Sequence, residues 1–241
     1  MRTYPFLAAL LALGAAPALA DPATPKSPCD GVYLSAAALS DYRFDGLSES
    51  NRSPTWQVTG YCYRNDGYFV GTTLTGVNFE DTPRTPLEAD WYGGRQFQWD
   101  GAKVTLEAFY AWFPVKRAPG PSYDIFEPQA EVSRSFKRLT LGALAGWETD
   151  ISGGGQEWHM KASAAYALTS WLSVNGHAGR FFAASGGDHD HDHWDIGAIA
   201  KWRRLSLDAR YGGTDLPFAE CYYTRWCEPG ASASVTWRIL P

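Results

Sequence analysis

Residues 102–112, with the sequence AKVTLEAFYAW, alternate between apolar and polar side chains. Val104 and Leu106 share one face of an extended chain, and Lys103 and Glu107 share the other, because successive side chains of a strand point to opposite sides. The stretch also has the length of about 9–11 residues that a tilted strand needs to cross a bilayer. It therefore predicts a β-strand, although a strand of a soluble sandwich alternates in the same way.

The same alternation recurs along the chain, most clearly in residues 138–148, 157–166 and 204–211. Helical periodicity is almost absent. The pattern predicts about 12 strands. The predicted strands cover residues 32–42, 54–63, 68–78, 87–97, 102–112, 124–135, 138–148, 157–167, 171–182, 194–202, 204–212 and 230–239.

The lengths of the connections distinguish a sandwich from a membrane barrel. Tight turns such as residues 65–67 and 99–101 alternate strictly with longer polar loops. The predicted long loops are residues 43–53, 79–86, 113–123, 149–156, 183–193 and 213–229. Short periplasmic turns and longer external loops are typical of outer-membrane barrels. The sequence thus predicts an all-β fold, an up-and-down antiparallel transmembrane β-barrel of about 12 strands.

The first residues have the features of a secretory signal. Met1 and Arg2 precede an apolar run over residues 6–16, and small residues lead to the polar Asp21. Such a segment is cleaved on export and is too short to be a membrane helix. We expect the chain to consist of a signal peptide at residues 1–20, a periplasmic Pro-rich lead-in at 21–31 and one transmembrane barrel domain at 32–241. The barrel is expected to lie in the outer membrane of a Gram-negative bacterium, in contact with its lipid.

Composition excludes several other classes. The chain has 241 residues, 15% of them aromatic, and a formal net charge of −5. A disordered chain lacks aromatic residues, and a nucleic-acid-binding protein needs a basic surface, so neither class fits. The mean hydropathy of −0.30 argues against a bundle of membrane helices.

The four cysteines, Cys29, Cys62, Cys221 and Cys227, suit two disulfides in an oxidising compartment. Their spacing does not match a zinc site, which usually has paired cysteines two to four residues apart. In an up-and-down barrel Cys29 and Cys62 both lie at the periplasmic rim, whereas Cys221 and Cys227 share the last external loop. The topology therefore predicts the pairs Cys29–Cys62 and Cys221–Cys227.

Three segments resemble a known family. Residues 40–50, SDYRFDGLSES, are similar to the stretch S-D-Y-x-F-R-G-x-S-x-S that follows the first strand in the TorF family of proteobacterial porins. Residues 67–71 with 77–79, and residues 87–94, resemble that family's next hairpin and its E-x-D-x-Y-x-G strand. The resemblance covers roughly residues 32–114 and implies an outer-membrane barrel. Asp45 stands where the family usually has Arg, so no role of that Arg is transferred.

Alternation places a set of polar side chains inside the barrel if the apolar face meets lipid. The candidate pore-lining residues are Glu88, Asp90, Tyr92, Lys103, Glu107, Glu127, Glu131, Glu157, His159, Lys161, Asp208 and Arg210. Their mixed charge is typical of a lining that fills or tunes a polar channel. We expect a monomeric porin that passes small hydrophilic solutes, with no cofactor and no enzymatic activity.

Two other functions compete with the porin hypothesis. Asp188, His189, Asp190, His191, Asp192 and His193 alternate carboxylate and imidazole in a predicted external loop, and both groups bind transition metals. A closed barrel could therefore bind a metal or a partner through its loops. A lipid hydrolase could use His159 or His177 as a base beside Ser163 or Ser173, although the sequence has no G-x-S-x-G motif.

Overall fold

The computed structural model describes residues 28–80, 85–114, 124–151, 155–185, 190–221 and 223–240. The expected signal peptide, residues 1–20, and most of the expected lead-in lie outside the described residues. Among the residues that are described, no helix is long and apolar enough to span a membrane.

The described part of the chain forms fourteen strands. They are β1 (Gly31–Leu39), β2 (Arg43–Phe44), β3 (Leu47–Ser48), β4 (Thr55–Tyr63), β5 (Tyr68–Gly76), β6 (Leu87–Trp99), β7 (Ala102–Trp112), β8 (Ile125–Phe136), β9 (Leu139–Asp150), β10 (Gln156–Ala167), β11 (Leu172–Ser185), β12 (His191–Trp202), β13 (Leu205–Thr214) and β14 (Gly230–Leu240).

Twelve of these strands form a closed antiparallel barrel in which neighbours in sequence are neighbours in space. Closure occurs at β1, where Ala37 pairs with Gln57 of β4 on one side and with Thr236 of β14 on the other. The short strands β2 and β3 pair only with each other. The predicted fold, an up-and-down barrel of twelve strands, is confirmed.

The outer face of the barrel is apolar, as the alternation predicts. Ile196, Leu207 and Trp237 are each more than half exposed on it. Aromatic side chains form a ring near each end of the strands, where the amphipathic rings of Trp and Tyr suit a membrane interface. The ring beside the tight turns contains Tyr68, Trp99, Phe136, Trp171 and Trp202, and the ring at the opposite end contains Trp56, Trp91, Trp112, Phe126, Trp158 and Trp194.

A two-residue turn shows how the sequence sets the register of a hairpin. Asp100 and Gly101 have φ angles of 47° and 73°, and they connect Trp99 to its cross-strand partner Ala102. Positive φ at both central positions defines the type I′ turn, whose twist matches that of the flanking strands and which favours Asp-Gly. The turn thereby fixes which residues of β6 and β7 share the inward face.

Both predicted disulfides are present. Cys29 and Cys62 have Cα atoms 5.5 Å apart, and Cys221 and Cys227 have Cα atoms 5.9 Å apart. The first disulfide ties the segment before β1 to the turn-proximal end of β4. The second closes a short loop between β13 and β14.

Two of the predicted long loops differ from the structure. The predicted loop at residues 183–193 is shorter, because β11 extends to Ser185 and β12 begins at His191. Alternation continues through these polar residues, so that Asp192 pairs with Arg180 on the exposed side (2.9 Å) while His193 is buried. The predicted loop at residues 43–53 contains the β2–β3 hairpin. Polar sequence alone therefore did not show where β11 ends and β12 begins, or that the first loop contains a paired hairpin.

A closed barrel that is paired along every strand should resist detergent until it is heated. We expect the mature protein to sediment with outer membranes and to migrate faster in unheated than in boiled samples on a denaturing gel. Recovery of the native chain as a soluble periplasmic monomer would contradict the membrane assignment.

Candidate functional site

The inward face of the barrel holds the predicted lining residues. They occupy the strand positions that alternate with the exposed apolar side chains, and Glu88, Asp90, Glu127, Glu157 and His159 are buried. On the same face, the amide of Gln129 donates a 2.6 Å hydrogen bond to Glu107 Oε1. The interior is thus polar and charged, in contrast to the outer face.

The first long loop folds into the barrel rather than away from it. Its β2–β3 hairpin turns at Asp45 and Gly46, which have φ angles of 40° and 91° and form another Asp-Gly turn. A Cβ at Gly46 would lie 2.5 Å from the carbonyl oxygen of Gly213, so glycine is needed for this close approach to the wall. The Asp45 carboxylate consequently reaches side chains on the barrel strands.

Arg43 is the main polar anchor of the hairpin. Its guanidinium donates to the Asp41 carboxylate (2.7 Å), to the carbonyl of Gly46 (2.8 Å) and to the carbonyl of Glu228 (3.1 Å). Asp41 Oδ1 also accepts hydrogen bonds from Ser48 and Ser50. The first and last long loops are therefore joined through one buried cation and its partners.

Apolar contacts complete the packing of the loops over this end of the barrel. Tyr42, Val77, Ala111 and Phe113 form a small buried cluster. Phe79 packs edge-on against Phe113 and against Trp226 of the last loop, with centroids 5.8 and 5.7 Å apart. Because these contacts span the mouth from opposite sides of the barrel, the loops narrow the opening.

Asp45 meets three histidines on adjacent strands, His159 on β10, His177 on β11 and His193 on β12. Asp45 Oδ2 lies 3.2 Å from His159 Nε2, and Asp45 Oδ1 lies 3.4 Å from His177 Nε2 and 3.5 Å from His193 Nδ1. Lys161 Nζ donates to Asp45 Oδ1 at 3.0 Å. Burial would raise the pKa of Asp45, but the charges of Lys161, His193 and His159 outweigh burial and lower it.

The histidines also contact one another and two further carboxylates. His193 Nε2 lies 3.2 Å from His159 Nε2, and His193 Nδ1 lies 3.2 Å from His177 Nε2. His159 Nδ1 faces Glu127 Oε1 at 3.3 Å, and His177 Nδ1 faces Asp195 Oδ1 at 3.3 Å. We call Asp45, His159, His177 and His193 the histidine cluster.

A second buried group lies under the first loop and consists of carboxylates. Glu49 of the loop approaches Glu88 and Asp90 of β6, and the Tyr42 hydroxyl donates to Glu88 Oε1 at 3.5 Å. The Glu49 oxygen Oε2 is buried. Burial raises the pKa of Glu49 to about 7; a hydrogen bond with Glu88 opposes this rise, whereas the nearby charge of Asp90 adds to it. Glu49 therefore holds a proton well above the usual range of a carboxyl group.

The alternating Asp-His segment is divided by the structure. Asp188 and His189 lie outside the described residues, whereas His191, Asp192 and His193 belong to β12. The expectation that all six residues form one external loop is therefore wrong for these three residues. His193 is instead buried among histidines of neighbouring strands, because the register of β12 places it on the inward face.

Sequence reasoning missed the association of these groups. It assigned His159 and Lys161 to the lumen but did not assign Asp45 or Asp195 to any site. The available signal was that alternation puts His159, His177 and His193 at inward-facing positions of three consecutive strands. For the hydrolase hypothesis, neither His159 nor His177 hydrogen-bonds to a serine hydroxyl within the described part of the chain.

Comparisons with known proteins agree with the fold. The model of a family described as "Bacterial protein of unknown function (Gcw_chp)" matches residues 22–238. A KdgM porin in complex with disordered oligogalacturonate aligns with a TM-score of 0.58, and a KdgM porin aligns with 0.57. Each is 5% identical and covers 86% of this chain and 97% of that chain, so the likeness shows the fold alone. Nothing matches among curated proteins.

The raised pKa of Glu49 predicts a pH-dependent stability of the packed loop. The unfolded group ionises near 4.5 and the folded group near 7, so stability is greatest at low pH and is lost as pH rises through about 7. Glu49→Gln should therefore increase the thermal unfolding temperature at pH 8 and leave it nearly unchanged at pH 4, as measured by tryptophan fluorescence. Glu220→Gln, at an exposed site of the last loop, is the control. An equal gain at both pH values would contradict the assignment.

Proposed function

We propose that this chain, which belongs to the Gcw_chp family of bacterial proteins of unknown function, is an outer-membrane porin. It passes small hydrophilic solutes through a narrow, mixed-charge lumen. The observation that carries this proposal is a closed twelve-stranded barrel with an apolar outer face and a charged inner face. Eight strands leave an interior filled by side chains and sixteen leave a wide channel, so twelve suit a small pore.

Several features support the outer-membrane location. The two circles of aromatic residues, one at each end of the apolar face, suit the two interfaces of a bilayer. The two disulfides suit an oxidising compartment, which the chain would reach through cleavage of residues 1–20. The similarity of residues 40–50 to the TorF family of porins supports the same location and activity, and we propose that membership as well. We also propose that the barrel acts as a monomer of one domain, residues 32–241.

The charge of the lining favours cations. The predicted lining set contains seven carboxylates, Glu88, Asp90, Glu107, Glu127, Glu131, Glu157 and Asp208, against three cations, Lys103, Lys161 and Arg210. Carboxylates that face a pore attract cations, and a low-dielectric wall strengthens the effect. The KdgM structure contains oligogalacturonate, but this lining suits cationic or neutral solutes better than a polyanion.

The packing of the loops favours a second candidate function. The first and last long loops are joined by Arg43 and by the hydrogen bond from Ser48 N to the carbonyl of Trp226, and Phe79 packs edge-on against Trp226 at the mouth. A barrel closed in this way could bind a metal or a partner instead of conducting. In planar bilayers, a conducting barrel gives discrete openings, whereas a closed barrel remains silent.

Two side chains of opposite charge on β7 test the selectivity of the proposed pore. Glu107→Gln should lower the permeability ratio of K⁺ to Cl⁻, and Lys103→Gln should raise it, since each removes one charge from the same inward face. The measurement is the reversal potential in a salt gradient across a planar bilayer. Identical ratios for both variants and the parent protein would contradict passage along this face.

The hairpin should limit the conductance at the mouth. Arg43→Gln removes the cation that joins Asp41 to the carbonyls of Gly46 and Glu228, so the loops should separate more readily. We expect larger or longer openings in single-channel records. Lys137→Gln, at an exposed turn on the opposite end, should leave the records unchanged. A decrease in conductance for Arg43→Gln would show that the hairpin does not obstruct the path.

A further inference from the structure

The arrangement of atoms in the histidine cluster matches the ligand set of a transition-metal ion. His159 Nε2 lies 3.2 Å from His193 Nε2 and 3.2 Å from Asp45 Oδ2. Ligands placed tetrahedrally at about 2.0–2.1 Å from zinc are separated by about 3.3 Å, which is the edge of that tetrahedron. These two separations therefore match that edge, and one ligand atom from each of the three buried residues lies within 4.8 Å of the other two.

Hydrogen bonding within the cluster is incomplete when all three rings are neutral and Glu127 and Asp195 accept from His159 and His177. In that arrangement His159 Nδ1 and His177 Nδ1 carry the protons, and both Nε2 atoms present lone pairs. His193 lies between these two Nε2 atoms, with one ring nitrogen 3.2 Å from each. A neutral His193 has a single N–H, so one of the two contacts opposes two lone pairs.

A cation between His159 Nε2, His193 Nε2 and Asp45 Oδ2 removes this conflict. His193 Nδ1–H then donates to His177 Nε2, and both Nε2 lone pairs of His159 and His193 point to the ion. The alternative is a doubly protonated His193, which would place a charged imidazolium close to Lys161, because Lys161 Nζ lies 3.0 Å from the Asp45 oxygen that His193 Nδ1 also approaches. The geometry accommodates the ion without an additional proton.

The surroundings fix the rings as they do in known metal sites. A histidine ligand usually donates its other N–H to a carboxylate, which orients the ring and increases its basicity, and Glu127 has this position behind His159. Phe181 stacks on the His159 ring with a centroid distance of 4.2 Å. Gly179 makes room for the His193 ring, since a Cβ there would lie 2.5 Å from His193 Cε1 and even closer to Nε2.

The charges around the cluster also favour a cation. Asp45, Glu127 and Asp195 contact the three rings, and Asp208 shares Arg210 with Asp195. Lys161 and Arg210 are the fixed cations bonded to these carboxylates. Four carboxylates against two cations leave an excess of two negative charges beside the imidazole rings, which a divalent ion would balance.

We propose that Asp45, His159 and His193 bind a divalent transition-metal ion such as Zn²⁺, with His177 beside it and Glu127 behind it. Imidazole and carboxylate ligands suit zinc and its first-row neighbours. Three protein ligands leave a fourth position open to water. Because Asp45 belongs to the inward loop and the histidines belong to the wall, the ion would tie the hairpin to β10 and β12. The proposal does not depend on whether the barrel conducts.

The test is metal binding by the full mature chain, folded in detergent and freed of metal with a chelator. Calorimetric titration with Zn²⁺ should show one ion per chain, and Co²⁺ should give the strong visible absorption of tetrahedral nitrogen and oxygen ligation. His159→Gln should reduce the affinity by more than 100-fold, and Glu127→Gln by about 10–100-fold, as expected for a group behind a ligand. Lys161→Met should increase the affinity, since it removes the cation that competes for Asp45.

His189→Gln and His191→Gln are matched controls, because both belong to the alternating Asp-His segment but not to the proposed ligand set. Heat-dependent gel mobility shows whether each variant is folded, and Glu127→Gln keeps the test meaningful if His159→Gln does not fold. Absence of Zn²⁺ binding by the parent protein would overturn the proposal. Binding that persists in folded His159→Gln and Glu127→Gln but disappears in His189→Gln would place the metal in the external loop and would also overturn it.

Discussion

Pairing of every backbone N–H and C=O group along the strands is the constraint on which the rest of this structure depends. A bilayer interior offers no water to an unpaired strand edge, so a sheet can cross it only when it closes on itself. Here β1 pairs with both β4 and β14, which leaves no open edge among the twelve barrel strands in the described part of the chain. Closure then divides the side chains of each strand between lipid and interior.

Because of that division, the charged side chains in the barrel interior need partners, and both the loops and the lining supply them. Every second residue of β6 to β13 faces a confined interior in which an isolated charge is costly. Arg210 lies between Asp195 and Asp208, and Lys161 lies against Asp45. The inward hairpin thus supplies a carboxylate to the wall, while Arg43 of the same hairpin is neutralised by Asp41. Loop position and lumen charge are consequently coupled.

Much of the barrel could be predicted from local sequence, since alternation, turn residues and connection lengths are properties of neighbouring residues. Residues 102–112 and the Asp100–Gly101 turn are examples, and the disulfide pairs followed from the topology. The ends of β11 and β12 were predicted less well, because a polar strand segment facing an aqueous rim resembles a loop. Asp190 and Asp192, which bond to Ala183 N and Arg180 across the hairpin, show why this segment remains extended.

The histidine cluster could not be predicted because it depends on register and on an inward fold of the first loop. Alternation places His159, His177 and His193 on one face, but only the pairing of His177 with Ser163 and Asp195, and of His193 with Gly179, brings their rings to one level. Asp45 reaches that level through contacts distant in sequence. In the TorF motif that residues 40–50 resemble, the position of Asp45 is usually Arg. An Arg side chain there would face Lys161 as a like charge and would offer no carboxylate oxygen to Lys161 or to the three rings, so Asp45 and the histidines of the barrel strands form one matched set.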